Sequence, residues 1–163
     1  MTVLIRKAFI VHPGSPFNGQ VKDILVKDGV ISSIHDSITE KADTVIEQEG
    51  LYVSAGWVDV FAHFCDPGFE FKETLQTGAA AAAAGGYTHV LVLPNTQPVV
   101  HSKTQVEYIR EKSRLLPVNI HPIGAATKNA EGKELAEMYD MYTSGAVAFG
   151  DGKAPVQSSG VML

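Results

Sequence analysis

The sequence predicts an α/β protein in which a small β module precedes a series of strand-and-helix units. Three observations point there. The first fifty or so residues hold short β-branched segments and no helical periodicity. From Gly50 onward, candidate strands begin about every thirty residues, the length of a βα unit. Between those strands lie segments with helix caps at their starts and glycines at their ends.

In the β module, Val3 to Val11, Val21 to Val26 and Val30 to Ile34 read as strands. Asp28-Gly29 joins the last two as a two-residue turn, because both residue types tolerate the positive φ of a type I′ turn. A further strand is expected near Thr44 to Ile46. The βα units place strands at Trp57 to His63, Thr88 to Leu93, Val118 to Ile123 and Ala146 to Phe149. A first helix, about Lys72 to Ala84, is nearly all alanine in its second half and stops at Gly85-Gly86, so it can lie close to a sheet. A second, about Lys103 to Leu115, opens with a capping box at Ser102 and Gln105. A third, about Glu131 to Thr143, places Leu135, Met138 and Tyr142 on one face before Gly145. Parallel strands joined this way make either an open doubly wound sheet or part of a (β/α)8 barrel. Only four units are present where a barrel of about 250 residues has eight. Gly160 to Leu163 reads as the opening of another helix. Half a barrel would leave its first and fourth strands as open edges that something must cover.

Composition excludes several classes of function. The 163 residues are 45% hydrophobic and 19% charged, which suits an ordinary globular core rather than a disordered chain or a coiled coil. Net charge is -5 with the two signs interspersed, so no basic stripe exists to bind nucleic acid. No apolar run approaches the roughly 18 residues of a membrane span, and Arg6-Lys7 interrupts the first apolar run too early for a signal peptide. The single cysteine, Cys65, fits a reducing compartment, and the chain is expected to be cytoplasmic.

Chemistry in α/β folds gathers at the carboxyl ends of the strands. Along the first βα strand, period-two alternation sends Asp59, Phe61, His63 and Cys65 to one side. The second ends in Pro94-Asn95-Thr96, the third in Thr127-Lys128 and the fourth in Gly150-Asp151-Gly152, so His63, Asn95 and Asp151 can converge. Each also has a purely structural reading. His63 can be a hydrogen-bonded interior histidine, Cys65 a small buried hydrophobe, and Asn95 and Asp151 turn residues. The sharper alternative groups His63, Cys65 and Asp151 around a transition metal. Asp59 and Asp66 are expected to orient backbone or serve turns, and the other five histidines show no mutual ligand spacing.

Gly56 to Gly68, the alanine-rich helix ending in Gly85-Gly86, Pro94-Asn95-Thr96 and Gly145 to Asp151 together resemble the N-terminal part of a class I dihydroorotase, of the cyclic amidohydrolase superfamily. The resemblance implies a β-sandwich module (residues 1–50) beside the first half of a metal-bearing (β/α)8 TIM-type barrel (residues 51–163). In that family the first barrel strand carries Asp-x-His-x-His-x-Arg-x-Pro-Gly, whose histidines hold a metal and whose arginine holds the substrate carboxylate. Here Phe61 stands at the first histidine and Cys65 at the arginine. His63 matches the second histidine, Asn95 the substrate-contacting asparagine and Asp151 the carboxylate that bridges two metals; the acidic residue that often follows it is Gly152. The family's remaining ligands belong to later strands, beyond Leu163. The resemblance therefore implies vestigial metal positions at His63 and Asp151, vestigial substrate positions at Asn95 and Cys65, and zinc only if the site works. It implies an inactive dihydroorotase-like protein, or the N-terminal fragment of one, associating with itself or with aspartate transcarbamoylase. An active cyclic amidohydrolase is the alternative. A non-catalytic α/β binding domain is the third reading, though the chain has no glycine-rich phosphate loop.

Overall fold

The computed structural model describes residues 1–156 and 159–162 and divides into two units, Met1–Ala55 and Gly56–Leu163. The first is a five-stranded sheet: β1 (Thr2–Val11), β2 (Val21–Lys27), β3 (Val30–His35), β4 (Thr44–Glu47) and β5 (Tyr52–Ser54). β1 lies at its centre, antiparallel to β2 and parallel to β4 and β5. Asp28 and Gly29 both take positive φ, 50° and 81°, as the β2–β3 turn requires. Asp23, buried in β2, accepts from the Lys7 main-chain N–H at 2.9 Å, where the β1–β2 register shifts, and from the Ile38 N–H after β3 at 3.0 Å. β5 was not anticipated from sequence, its three residues being too few to show a periodicity.

The second unit is the partial barrel: a four-stranded parallel sheet in the order β6 (Trp57–Ala62), β7 (Tyr87–Val92), β8 (Asn119–Gly124), β9 (Ala148–Phe149). Helices α1 (Leu75–Ala84) and α2 (Lys103–Ser113) cross between its first three strands, and α3 (Met138–Thr143) precedes β9. A short helix, α4 (Ser159–Met162), stands where the helix opening was expected, while Leu163 lies outside the described residues. Leu75 and Ala79 of α1, Val106 and Ile109 of α2, and Val90, Val92 and Ile120 of the sheet form one buried core. α1 makes its closest approach at Gly78, beside the buried Ala79: a Cβ at Gly78 would stand 2.7 Å from the Phe64 ring.

Two helices differ from expectation. α1 begins at Leu75 rather than Lys72, because Thr74 and Thr77 form a reciprocal capping box that fixes the start. α3 is six residues long, not thirteen. Before it, Lys128–Ala130 makes a 3-10 turn in which Asn129 and Ala130 take positive φ, and Ala136 N–H binds Ala126 O, so this stretch folds back on itself. The buried face moves accordingly. Met141 is sealed, whereas Leu135 and Tyr142 are 49% and 65% exposed.

Candidate active site

The β6 strand stops short of the residues that matter. Its pairing with β7 slips between Asp59 and Ala62, and the Asp59 carboxylate accepts the Phe61 N–H at 2.9 Å. A slip of this kind ends the period-two alternation. The three side chains that alternation groups together have different surroundings here, although the Cys65 thiol stays beside the His63 ring. Phe61 is 59% exposed, His63 lines a cavity of about 320 Å³ with Asp59 and Glu73, and Cys65 is buried at a φ of 62°.

His63 is held by main chain. Its Nε2 lies 2.9 Å from Asn95 O, and since a carbonyl only accepts, Nε2 carries the hydrogen. In the neutral ring this leaves Nδ1 as a lone pair, and the Cys65 Sγ sits 3.6 Å from it. Asn95 spends its amide on the loop after β9: Nδ2 donates to Asp151 O at 3.0 Å, and Oδ1 accepts from Lys153 N–H at 3.1 Å. Gly152, between those two contacts, has a φ of 60°, and a Cβ there would lie 1.9 Å from Asn95 Oδ1. The family's acidic residue at this position would collide with the asparagine as placed here. His63, Asn95 and Asp151 thus do come together, linked through the main chain of Asn95 and Asp151.

The carboxylate of Asp151 turns elsewhere. Oδ1 accepts from Thr127 N–H at 2.9 Å and Oδ2 from the Thr127 hydroxyl at 2.5 Å, while Thr127 Oγ1 accepts from Gly132 N–H at 2.8 Å. All of this is buried. Asp151 therefore ties the β9 loop to the loop after β8, as a buried carboxylate must be tied to something. Thr127→Val, close in shape, removes the hydroxyl and leaves Asp151 Oδ2 and the Gly132 N–H without partners. Urea unfolding should show a loss of about 1–3 kcal/mol with an unchanged m-value.

These donors do not fit a zinc centre as they stand. Phe61 has no donor atom, both Asp151 oxygens are engaged by Thr127, and among the described residues no three His, Cys, Asp or Glu side chains gather as a metal-holding group. Nor does Cys65 supply the positive fork that a substrate carboxylate would need.

Asp66, next to Cys65, proves more heavily used than a turn residue. Oδ2 caps α1 by accepting the Leu75 N–H at 3.1 Å, and Oδ1 accepts from Tyr108 Oη at 2.9 Å. Lys112 Nζ lies 2.8 Å from Oδ2. Burial pushes the Asp66 carboxyl upward, but the bonds from Lys112, Leu75 N–H and Tyr108 outweigh it and hold the group below the usual carboxylate value. Burial likewise lowers Lys112, and its contacts with Asp66 and Tyr108 more than reverse this. Sequence reasoning also passed over His89 and His121, which meet across β7 and β8. Their positions, on strands that pair in parallel with Leu91 opposite His121, could have signalled a shared face.

Among the described residues, no helix is long and apolar enough to cross a membrane. Comparison with known proteins agrees with the architecture. The chain is 42% identical to a dihydroorotase of Acetivibrio thermocellus over 98% of its length, and 40% identical to one of Caldanaerobacter subterraneus subsp. tengcongensis over 99%. It covers only 38% and 37% of those proteins. In structure it matches the L-hydantoinase (dihydropyrimidinase) of Arthrobacter aurescens with a TM-score of 0.74 at 24% identity, covering 90% of this chain and 32% of that one, a likeness of fold. The family model for dihydro-orotase-like proteins matches residues 50–163. On the relatives' sequences and this family match together, the chain belongs to the dihydroorotase-like family.

Proposed function

We propose that this chain is a non-catalytic dihydroorotase-like protein of pyrimidine biosynthesis that works by association, with aspartate transcarbamoylase or a second copy of itself as the partner. One observation carries the reading: Asp151, at the family's metal-bridging position, has both oxygens of its buried carboxylate hydrogen-bonded to Thr127. Phe61 and Cys65 support it, since neither side chain can do the work of the histidine or arginine that the family motif places there. Restoring a metal centre would require a donor at position 61, and Asp151 would have to share its carboxylate between the metal and Thr127. Even indirect disturbance of metal ligands typically costs about 10–100-fold in affinity or activity.

The test is an assay of the purified chain with zinc at micromolar concentration, following interconversion of dihydroorotate and carbamoyl aspartate. No turnover above the protein-free blank is expected. Turnover that zinc stimulates and a chelator abolishes would overturn the non-catalytic reading. For the partner, sedimentation of the chain with and without aspartate transcarbamoylase of the same source should show a larger species than either protein alone. Independent sedimentation as monomers would remove the association.

A further inference from the structure

His89 on β7 and His121 on β8 lie on the sheet face away from α1 and α2, because the intervening Val90 and Val92, with Ile120, enter the helix-covered core. Nδ1 of His89 is 2.9 Å from Nε2 of His121. The ring centroids are 5.2 Å apart and the planes only 13° from parallel, so the two rings lie nearly in one plane and in line, joined by an in-plane N–H···N bond. Around them Val58, Leu91 and Val147 line a shallow cavity of about 370 Å³.

We propose that His89 and His121 form one proton-holding unit whose contact survives with one hydrogen between the rings and fails when both facing nitrogens are protonated. Two neutral rings must place one N–H and one lone pair at the contact. A first added proton leaves the contact intact, as a charge-assisted bond from an imidazolium to a neutral ring. A second puts two N–H groups and two like charges against each other across 2.9 Å.

The surroundings give a second charge no relief. On β6 and in the turn before β9, the facing residues are the apolar Val58 and Val147; on β7 it is Leu91. From α2, Arg110 lies against Gly145 and adds a further positive charge. Among the described residues neither histidine joins an ion pair with a carboxylate. Burial first, then His89 and Arg110, holds His121 below the ordinary histidine value of 6.5. A base lowered on folding binds fewer protons folded than unfolded, so its contribution is complete above pH 6.5 and declines as pH falls below it.

Tautomers give a test that does not depend on a variant folding. If His89 Nδ1 donates, His121 Nε2 is bare and its hydrogen is on Nδ1; if His121 Nε2 donates, His89 carries its hydrogen on Nε2. Either way the two rings have the same tautomer. Long-range ¹⁵N–¹H spectra of the full chain at pH 8 should show two Nδ1–H or two Nε2–H rings, and opposite tautomers would overturn the proposal. In His89→Gln, the His121 titration should move up toward the ordinary histidine value; an unmoved midpoint would also overturn it. The amide protection factors at Leu91 and at position 121, corrected for intrinsic exchange at each pH, should fall on acidification more in the native chain than in the His89→Gln, His121→Gln double variant, and equal falls would count against the loosening of this contact.

Discussion

Asp66→Ala should cost about 3–5 kcal/mol in urea unfolding, the range expected when one partner of a buried, hydrogen-bonded ion pair is removed. The Asp66 side chain is fully buried, whereas Lys112 retains 29% of its side-chain exposure. Removing the carboxylate leaves the Leu75 N–H at the start of α1 without its partner, takes a shared acceptor from Tyr108 Oη and Lys112 Nζ, which keep their own 2.7 Å bond, and removes a tie between the β6–α1 loop and α2. Asp66→Asn keeps the shape and an acceptor for the Leu75 N–H but not the charge, so its loss should be smaller. The pH dependence has a definite sign. Because folding holds Asp66 below its usual value, its contribution is complete above the unfolded value near 3.8 and is lost as pH falls through the folded one. Lys112 is raised, so its share is complete below 10.5 and is lost as pH rises through the folded value. Flattening of the acid limb of the stability profile in Asp66→Asn measures the carboxylate's share. An Asp66→Ala chain as stable as the native one would show that the buried network contributes nothing net.

Why Asp66 was legible only as a backbone-orienting residue is instructive. The succession of strands and helices could be read because periodicity, caps and glycine stops are local signals, and the Ser102–Gln105 capping box opens α2 where the sequence places it. α3 could not, since residues 127–136 are shaped by tertiary bonds, among them Thr127 to Asp151 and Ala136 to Ala126, that leave no trace in a helical pattern. The site shows the same division. That His63, Asn95 and Asp151 meet follows from strand ends brought side by side. How their side chains are spent does not: the slip at Asp59 and the positive φ of Cys65 redirect the loop after β6, and alternation cannot foresee either. Asp66 reaches Tyr108 and Lys112 more than forty residues away, a distance beyond any sequence window.

Gly68→Ala is expected to be among the most damaging single substitutions in the chain, with a loss of at least about 3 kcal/mol. Gly68 has a φ of 94°, and a Cβ there would sit 1.9 Å from the carbonyl oxygen of Gln97 and 2.7 Å from its carbonyl carbon. Those atoms are main chain, so no rotamer change clears them. Nearby, Gln97 N–H binds Pro67 O at 3.0 Å, which keeps the loop after β6 against the loop after β7. These two loops carry His63 and Cys65 on one side and Asn95 on the other, and separating them would break the His63–Asn95 contact as well. Gly19→Ala separates the two causes of the loss. Gly19 also has a positive φ, 76°, but nothing lies within 4 Å of a Cβ there. It should therefore show only the conformational penalty of about 1–2 kcal/mol. The difference between the two variants, read from urea midpoints at equal m-values, isolates the collision with Gln97. Equal losses in Gly68→Ala and Gly19→Ala would mean that the Gln97 loop yields freely and does not fix the geometry around His63.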